Sequence, residues 1–156
     1  MQTTPLHQHL ILGLLLALWI AFGLTGRSVW WDGEAAALGQ IQSLVSGEPG
    51  APYFLANGLA ELTQRLSANW LSFADGSRIA SGILTALALL GTALAAGQLL
   101  GPGHAIAAAL ALMGAFGLMM RAHAQVPELG LMAAYAGLLY GIGLARQSPL
   151  GGLWIG

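Results

Sequence analysis

Residues 79–100 have the sequence IASGILTALALLGTALAAGQLL, with no charged side chain in the run. An α-helix needs about 20 apolar residues to cross the hydrocarbon core of a membrane. Three further apolar runs occupy residues 10–24, 105–120 and 129–145. We therefore predict about four transmembrane helices. Ala, Gly and Leu dominate these runs, and such small residues allow helices to pack closely in lipid.

The composition of the whole chain agrees with this prediction. Of its 156 residues, 56% are hydrophobic and 7% are charged, whereas a soluble domain has about 25% charged residues. The net charge is −1 and lysine is absent, which leaves no basic surface for nucleic acid. Cysteine is also absent, which excludes disulfides and thiolate metal sites. The sequence predicts an all-α integral membrane protein with a single membrane domain over residues 1–156.

The first apolar run has an alternative interpretation as a secretory signal peptide. No Lys or Arg precedes residues 10–24, and residues 24–27 form a poor small-x-small cleavage site. We therefore interpret this run as the first transmembrane helix. At the other end, residues 149–156 resemble the start of a fifth span. A full span needs about 20 residues, so we expect the chain to be the N-terminal fragment of a larger polytopic protein.

The long loop at residues 27–76 retains the spacing of helices. Leucine, isoleucine and valine recur every three or four residues on either side of a Gly- and Pro-containing break at residues 47–52. The recurring residues are Leu38, Ile41 and Val45, then Leu55, Leu59, Leu62 and Leu66. We predict two amphipathic helices on the membrane surface. The alternative is a water-exposed helical hairpin.

Two short polar windows lie between the apolar runs. The first polar window is residues 30–34, and the second is residues 121–128. If the spans alternate in direction, both windows lie on the same side of the membrane. We expect that side to be extracytoplasmic, although it would then carry most of the arginines, contrary to the positive-inside rule. The opposite orientation stays open.

The first polar window supplies the candidate catalytic residues. Asp32 and Glu34 follow the first span, and a carboxylate desolvated at the lipid boundary becomes a better proton acceptor. The alternative is a structural role at a helix N-terminus, where negative charge is favourable. Trp30 and Trp31 are typical of aromatic anchors at a membrane interface, with a substrate platform as the less favoured alternative.

The second polar window supplies supporting candidates. His123 and Glu128 could form a polar or metal-binding pair close to Asp32, although Glu128 after a proline also suits the first turn of a helix. Arg121 and Arg78 lie at the ends of predicted spans. Each is a candidate for binding a substrate phosphate, and snorkelling to the interface is the alternative.

The order of these features resembles the N-terminal part of the GT-C membrane glycosyltransferases, which include protein O-mannosyltransferases and aminoarabinose transferases. That family has an acidic motif after its first helix, two surface helices separated by a Gly- and Pro-containing stretch, and an arginine before the second span. Residues 31–34, 46–52 and 76–81 match in order. The chain departs from the pattern where Gly33 splits the acidic pair and where the usual lysine is missing before Pro52.

The resemblance implies a membrane glycosyltransferase, or its N-terminal part. It would transfer a sugar from a polyprenyl-phosphate donor to a lipid or protein acceptor at the outer face of a bacterial inner membrane. By resemblance, Asp32 would activate the acceptor with support from Glu34, an arginine would stabilise the departing phosphate, and a divalent metal could assist. The alternative is a non-catalytic membrane subunit whose surface helices bind a partner. A small transporter is less favoured, because the predicted spans contain almost no ionisable residues.

Overall fold

The computed structural model of the chain describes residues 6–48 and 53–146, with side chains described from residue 13 onward. These ranges are helical and contain no strand, which confirms the predicted all-α class. A one-turn 3-10 helix at Pro102–His104 precedes the fifth α-helix. The α-helices are α1 Leu6–Ala21, α2 Asp32–Val45, α3 Phe54–Ser67, α4 Phe73–Leu99, α5 Ala105–Met113, α6 Phe116–Arg121 and α7 Glu128–Ala145.

Helix α4 is the central element, because α1, α2, α3, α5 and α7 all contact it. Small residues bring α7 close to it. A Cβ atom placed on Gly91 of α4 would lie 2.9 Å from the Cβ of Ala136, and one on Gly143 of α7 would lie 2.7 Å from that of Gln98. Glycine at these two positions is therefore what permits the close approach of the helices.

Two helices, α4 and α7, are long and apolar enough to cross a membrane by length and composition. Of the four predicted spans, the other two are represented in the described residues by shorter helices. Helix α1 has 16 residues. The run at residues 105–120 divides into α5 and α6, because Gly114 ends α5 and Ala115 is extended, with ψ 122°. The predicted fifth span lies outside the described residues.

Helix α7 exposes most of its apolar surface. Leu131, Tyr135 and Leu139 are exposed, whereas the buried positions include Ala136 and Gly141. Exposed apolar surface on this scale is unusual on a protein surrounded by water and is ordinary for a helix surrounded by lipid.

The two helices predicted within residues 27–76 are present as α2 and α3. In α3 the residues packed against the rest of the protein are small or polar, and they are Ala56, Asn57, Ala60, Thr63 and Ser67. Leu55, Leu62 and Leu66 point away from the protein, with Leu55 84% and Leu66 72% exposed. Leu59 is half-buried and packs against the core. The amphipathic pattern is therefore real, but its apolar side faces outward.

The start of α4 differs from the sequence prediction. The predicted span begins at residue 79, just after Arg78, but the helix begins at Phe73. Its N-cap is Ser72, whose hydroxyl accepts a hydrogen bond from the backbone N–H of Asp75 at 3.2 Å. The earlier start places Arg78 within the second turn of the helix instead of at its beginning.

The close contact between α4 and α7 predicts an asymmetry between two glycines. Gly91→Val should lower the free energy of unfolding by about 2 kcal/mol, because overpacking a tight contact costs roughly 1–3 kcal/mol. Gly137→Val on α7 is the control, since no atom lies within 4 Å of the added Cβ. Thermal unfolding in detergent measures both variants. Equal midpoints would contradict the packing described here.

Candidate functional site

The two polar windows meet in the folded chain. The carboxylate of Glu34 accepts a hydrogen bond from the backbone N–H of Gln125 at 3.1 Å. Arg27, which precedes the first window, donates from Nη2 to the carbonyl of His123 at 2.7 Å. The two windows are therefore in contact, as expected if both lie on the same side of a membrane, and which side that is stays a prediction.

Glu34 is the centre of this meeting point and is fully buried. Its Oε1 atom accepts from Nε of Arg78 at 2.9 Å and from Nη2 of Arg27 at 3.0 Å. Its Oε2 atom lies 3.3 Å from Nη1 of Arg27. The carboxylate is therefore saturated by charged donors, which are the strong class of hydrogen bond.

Arg78 is also fully buried. Besides Glu34, its guanidinium donates to the carboxylate of Asp75 at 2.9 Å, to the carbonyl of Arg27 at 2.8 Å and to the carbonyl of Ser28 at 3.4 Å. Two carboxylates thus balance two guanidinium groups. We call Arg27, Glu34, Asp75 and Arg78 the charge cluster, and it joins α2 and α4 to the segment after α1 and to the second polar window.

The surroundings of Glu34 set its protonation state. Burial by itself raises the pKa of the carboxyl, but the hydrogen bonds from Arg78 and from the backbone of Gln125, together with the charges of Arg78 and Arg27, outweigh it. The pKa of Glu34 consequently lies below its ordinary value of 4.5. The expectation that desolvation makes this carboxylate a better proton acceptor is wrong for Glu34, because its arginine partners stabilise the charged form.

Asp32 has the opposite environment. It is exposed in the first turn of α2. The N-cap residue of that helix is Trp31, whose side chain makes no capping hydrogen bond. Successive residues of a helix are rotated by about 100°, so Asp32 and Glu34 point to different sides of α2. The first window therefore presents one accessible carboxylate and one that is buried in the charge cluster.

The tryptophans of the first window also differ. Trp30 is 55% exposed, which suits the predicted interfacial anchor. Trp31 is half-buried and its ring lies beneath Arg121, whose Cζ atom is 5.5 Å from the ring centroid. This cation–π contact holds the exposed guanidinium of Arg121 near the start of α2. Trp31 is therefore a support for Arg121 in addition to any contact with the membrane.

His123 and Glu128 have separate surroundings. The Nε2 atom of His123 lies 2.8 Å from the carbonyl of Trp19 and donates to it, because a carbonyl can only accept. Its ring also packs edge-on against that of Trp19. Glu128 is exposed in the first turn of α7. Within residues 6–48 and 53–146, no three His, Cys, Asp or Glu side chains form a potential metal site.

Among the proposed phosphate-binding residues, Arg78 and Arg121 are not equivalent. The donors of Arg78 are directed at protein partners inside the fold, which leaves no exposed surface for a substrate. Arg121 is exposed. The phosphate role predicted for Arg78 is therefore replaced by a structural one, because the arginine neutralises the buried Glu34.

Sequence reasoning missed Arg27 and Gln125 as members of the site. Gln125 is fully buried, and its Oε1 atom accepts from the hydroxyl of Ser81 at 2.9 Å. The only sequence signal for Arg27 is its position seven residues before Glu34, in a chain that has few charged residues. Its contacts depend on tertiary structure, since His123 is remote in the sequence.

Comparisons of the chain with protein-family models, curated proteins and solved structures gave no match. The resemblance to GT-C glycosyltransferases therefore stays a prediction.

The charge cluster predicts that Glu34 is essential to the fold. Glu34→Gln should reduce the free energy of unfolding by about 3 kcal/mol or more, since removing one partner of a buried ion pair leaves an uncompensated charge. Glu61→Gln is a matched control, because Glu61 pairs with Arg65 on an exposed surface and such pairs contribute about 0–1 kcal/mol. Denaturant titration in mixed micelles compares the two variants. Similar losses would contradict the structural role.

The contribution of the Glu34 carboxylate to stability should also depend on pH. Because folding lowers the pKa of Glu34, its contribution is complete above the unfolded-state value of about 4.5 and disappears as the pH falls through the folded-state pKa. Thermal midpoints of the wild type should therefore fall more steeply below about pH 4.5 than those of Glu34→Gln. Parallel pH profiles would contradict this assignment.

Proposed function

We propose that the chain is a membrane glycosyltransferase of the GT-C type, or the N-terminal part of one. It would transfer a sugar from a polyprenyl-phosphate donor to a lipid or protein acceptor at the outer face of a bacterial inner membrane. The observation that supports the proposal is the position of two carboxylates at the start of α2, where Asp32 is exposed and Glu34 is buried. This is the position of the acidic motif in the family that the sequence resembles.

The lengths and exposed apolar surfaces of the helices support a membrane arrangement. In the proposal α4 and α7 cross the membrane, and α1 and the α5–α6 segment complete a set of four spans. The exposed leucines of α3 would rest against lipid, which gives this helix an interfacial position. The polar windows then lie at one end of the bundle.

Asp32 is the proposed general base. It would accept the proton of an acceptor hydroxyl while the hydroxyl oxygen forms a bond to the anomeric carbon of the sugar. The bond between that carbon and the phosphate oxygen breaks at the same time, and the phosphate leaves with the electron pair. Arg121 is an exposed cation beside the start of α2, and it would stabilise the negative charge that develops on the departing phosphate. Glu34 acts as a positioning residue that fixes the start of α2.

The proposed sugar transfer contains no step that depends on a divalent metal. The described residues do not bring three potential ligands together, and Asp32 by itself does not form a metal site. A divalent metal that assists the transfer therefore stays a prediction.

Asp32→Asn is the direct test of the proposed base. In the full-length protein it should lower turnover from a polyprenyl-phosphate sugar donor by about a hundredfold or more, the usual scale for a general base. Folding should be retained, because Asp32 lies outside the charge cluster. Glu48→Gln, which removes another exposed carboxylate, is the control and should leave turnover unchanged. A normal rate for Asp32→Asn would refute the role of Asp32.

A non-catalytic membrane subunit is the second candidate, and the outward-facing leucines of α3 favour it. Such a surface could hold a partner protein as well as lipid. The paired variants Leu62→Glu and Asp32→Asn separate the two functions in cells. If Leu62→Glu abolishes function and Asp32→Asn does not, the chain is a non-catalytic subunit and the glycosyltransferase proposal is wrong.

A further inference from the structure

A groove of about 400 Å³ lies between α7 and the α5–α6 segment. This volume is at the lower end of the roughly 300–1,000 Å³ typical of ligand pockets. Leu112, Leu118, Leu129 and Met132 form much of its apolar lining, and Arg121 and Glu128 are its two charged residues. The groove therefore combines a long apolar surface with a cation and an anion.

The two charges do not neutralise each other. Arg121 is the last residue of α6 and Glu128 is the first residue of α7, and both are exposed. Neither forms an ion pair with any residue in the part of the chain that the structure describes. Trp31 holds the Arg121 guanidinium through the cation–π contact. Both groups are thus available to a ligand.

These features match one kind of amphiphile. A guanidinium binds phosphate oxygens strongly, often through two parallel hydrogen bonds. A carboxylate can accept hydrogen bonds from a primary ammonium group. An apolar groove beside them suits a hydrocarbon chain, because burying apolar surface away from water is favourable. The complementary ligand therefore carries a phosphate, a primary amine and an acyl chain.

We propose that this groove binds a zwitterionic phospholipid of the ethanolamine class. The phosphate contacts Arg121, the ammonium contacts Glu128, and one acyl chain lies along the apolar lining. The charged residues are at helix ends, where lipid head groups lie if α7 crosses a membrane. In this respect the inference rests on the membrane placement in the proposed function, and the phospholipid and the polyprenyl-phosphate donor would occupy Arg121 in turn.

The chemistry distinguishes this lipid from its neighbours in a membrane. Phosphatidylcholine carries a quaternary ammonium, which has no N–H to donate to Glu128. Phosphatidylglycerol carries no ammonium, so its anionic head would meet an uncompensated carboxylate. Both should bind more weakly than phosphatidylethanolamine although their acyl chains are the same.

Native mass spectrometry of the full chain in detergent tests the proposal with dioleoyl forms of these three lipids. Phosphatidylethanolamine should bind about tenfold more tightly than the other two, which corresponds to about 1.4 kcal/mol. Arg121→Gln and Glu128→Gln should each remove that preference. Arg65→Gln and Glu61→Gln, which remove an exposed pair on α3, are the matched controls and should retain it.

A second pair of variants tests the chain-binding part of the groove. Gly117 lines the groove, and a Cβ placed there meets no atom within 4 Å. Gly117→Leu should therefore fill the groove without disturbing the fold and should lower the affinity about tenfold, or about 1.4 kcal/mol. Gly39→Leu on α2 is the control, because its added Cβ also meets no atom within 4 Å.

The outcomes separate this proposal from the enzymatic one. Equal binding of all three lipids, or affinity that is unaffected by Arg121→Gln, Glu128→Gln and Gly117→Leu, would overturn the lipid site. Dependence on Arg121 alone, with phosphatidylglycerol binding equally well, would overturn the ethanolamine assignment. Asp32→Asn should bind phosphatidylethanolamine normally. A wild-type protein that transfers sugar but shows no preference for phosphatidylethanolamine would refute only the lipid site, and one that binds this lipid but transfers no sugar would refute only the enzyme.

Discussion

The buried ion pair between Glu34 and Arg78 constrains the rest of the structure. Both side chains are fully buried, and their nitrogen and oxygen atoms are 2.9 Å apart. An isolated charge in such a place is costly, so each residue requires the other and also the additional partners Arg27 and Asp75. Residues from α2, from α4 and from the segment after α1 must therefore arrive together. This requirement fixes how α2 is attached to α4.

The same constraint gives two nearby acids different properties. Glu34 is held in its ionised form inside the charge cluster, whereas Asp32 points away from it and is exposed. The helical rotation between these positions is the cause, because residues two apart lie on different sides of a helix. The charge cluster fixes the start of α2, so the accessible carboxylate of Asp32 has a defined position. A reactive site requires such positioning. In the proposed function Asp32 would carry out the chemistry and Glu34 would position it.

The exposed leucines of α3 are a second feature that depends on whether water or lipid surrounds the protein. In a protein surrounded by water, an amphipathic helix places its leucines in the core. Here the protein-facing side of α3 is formed mainly by residues such as Ala56, Ala60 and Ser67, which allow close packing, and three of the four leucines are exposed. The orientation matches a helix that contacts both protein and lipid. Together with the exposed apolar surface of α7, this orientation of α3 supports a membrane location.

The sequence by itself determined the helical class, the two helices within residues 27–76 and the meeting of the two polar windows. Those features follow from local periodicity, turn residues and the length of apolar runs. Only the tertiary structure decided that Gly114 divides one run, that Arg78 is a buried partner of Glu34, and that His123 contacts Trp19. These outcomes depend on atoms brought together from distant parts of the chain, and no local pattern encodes which donor reaches which acceptor.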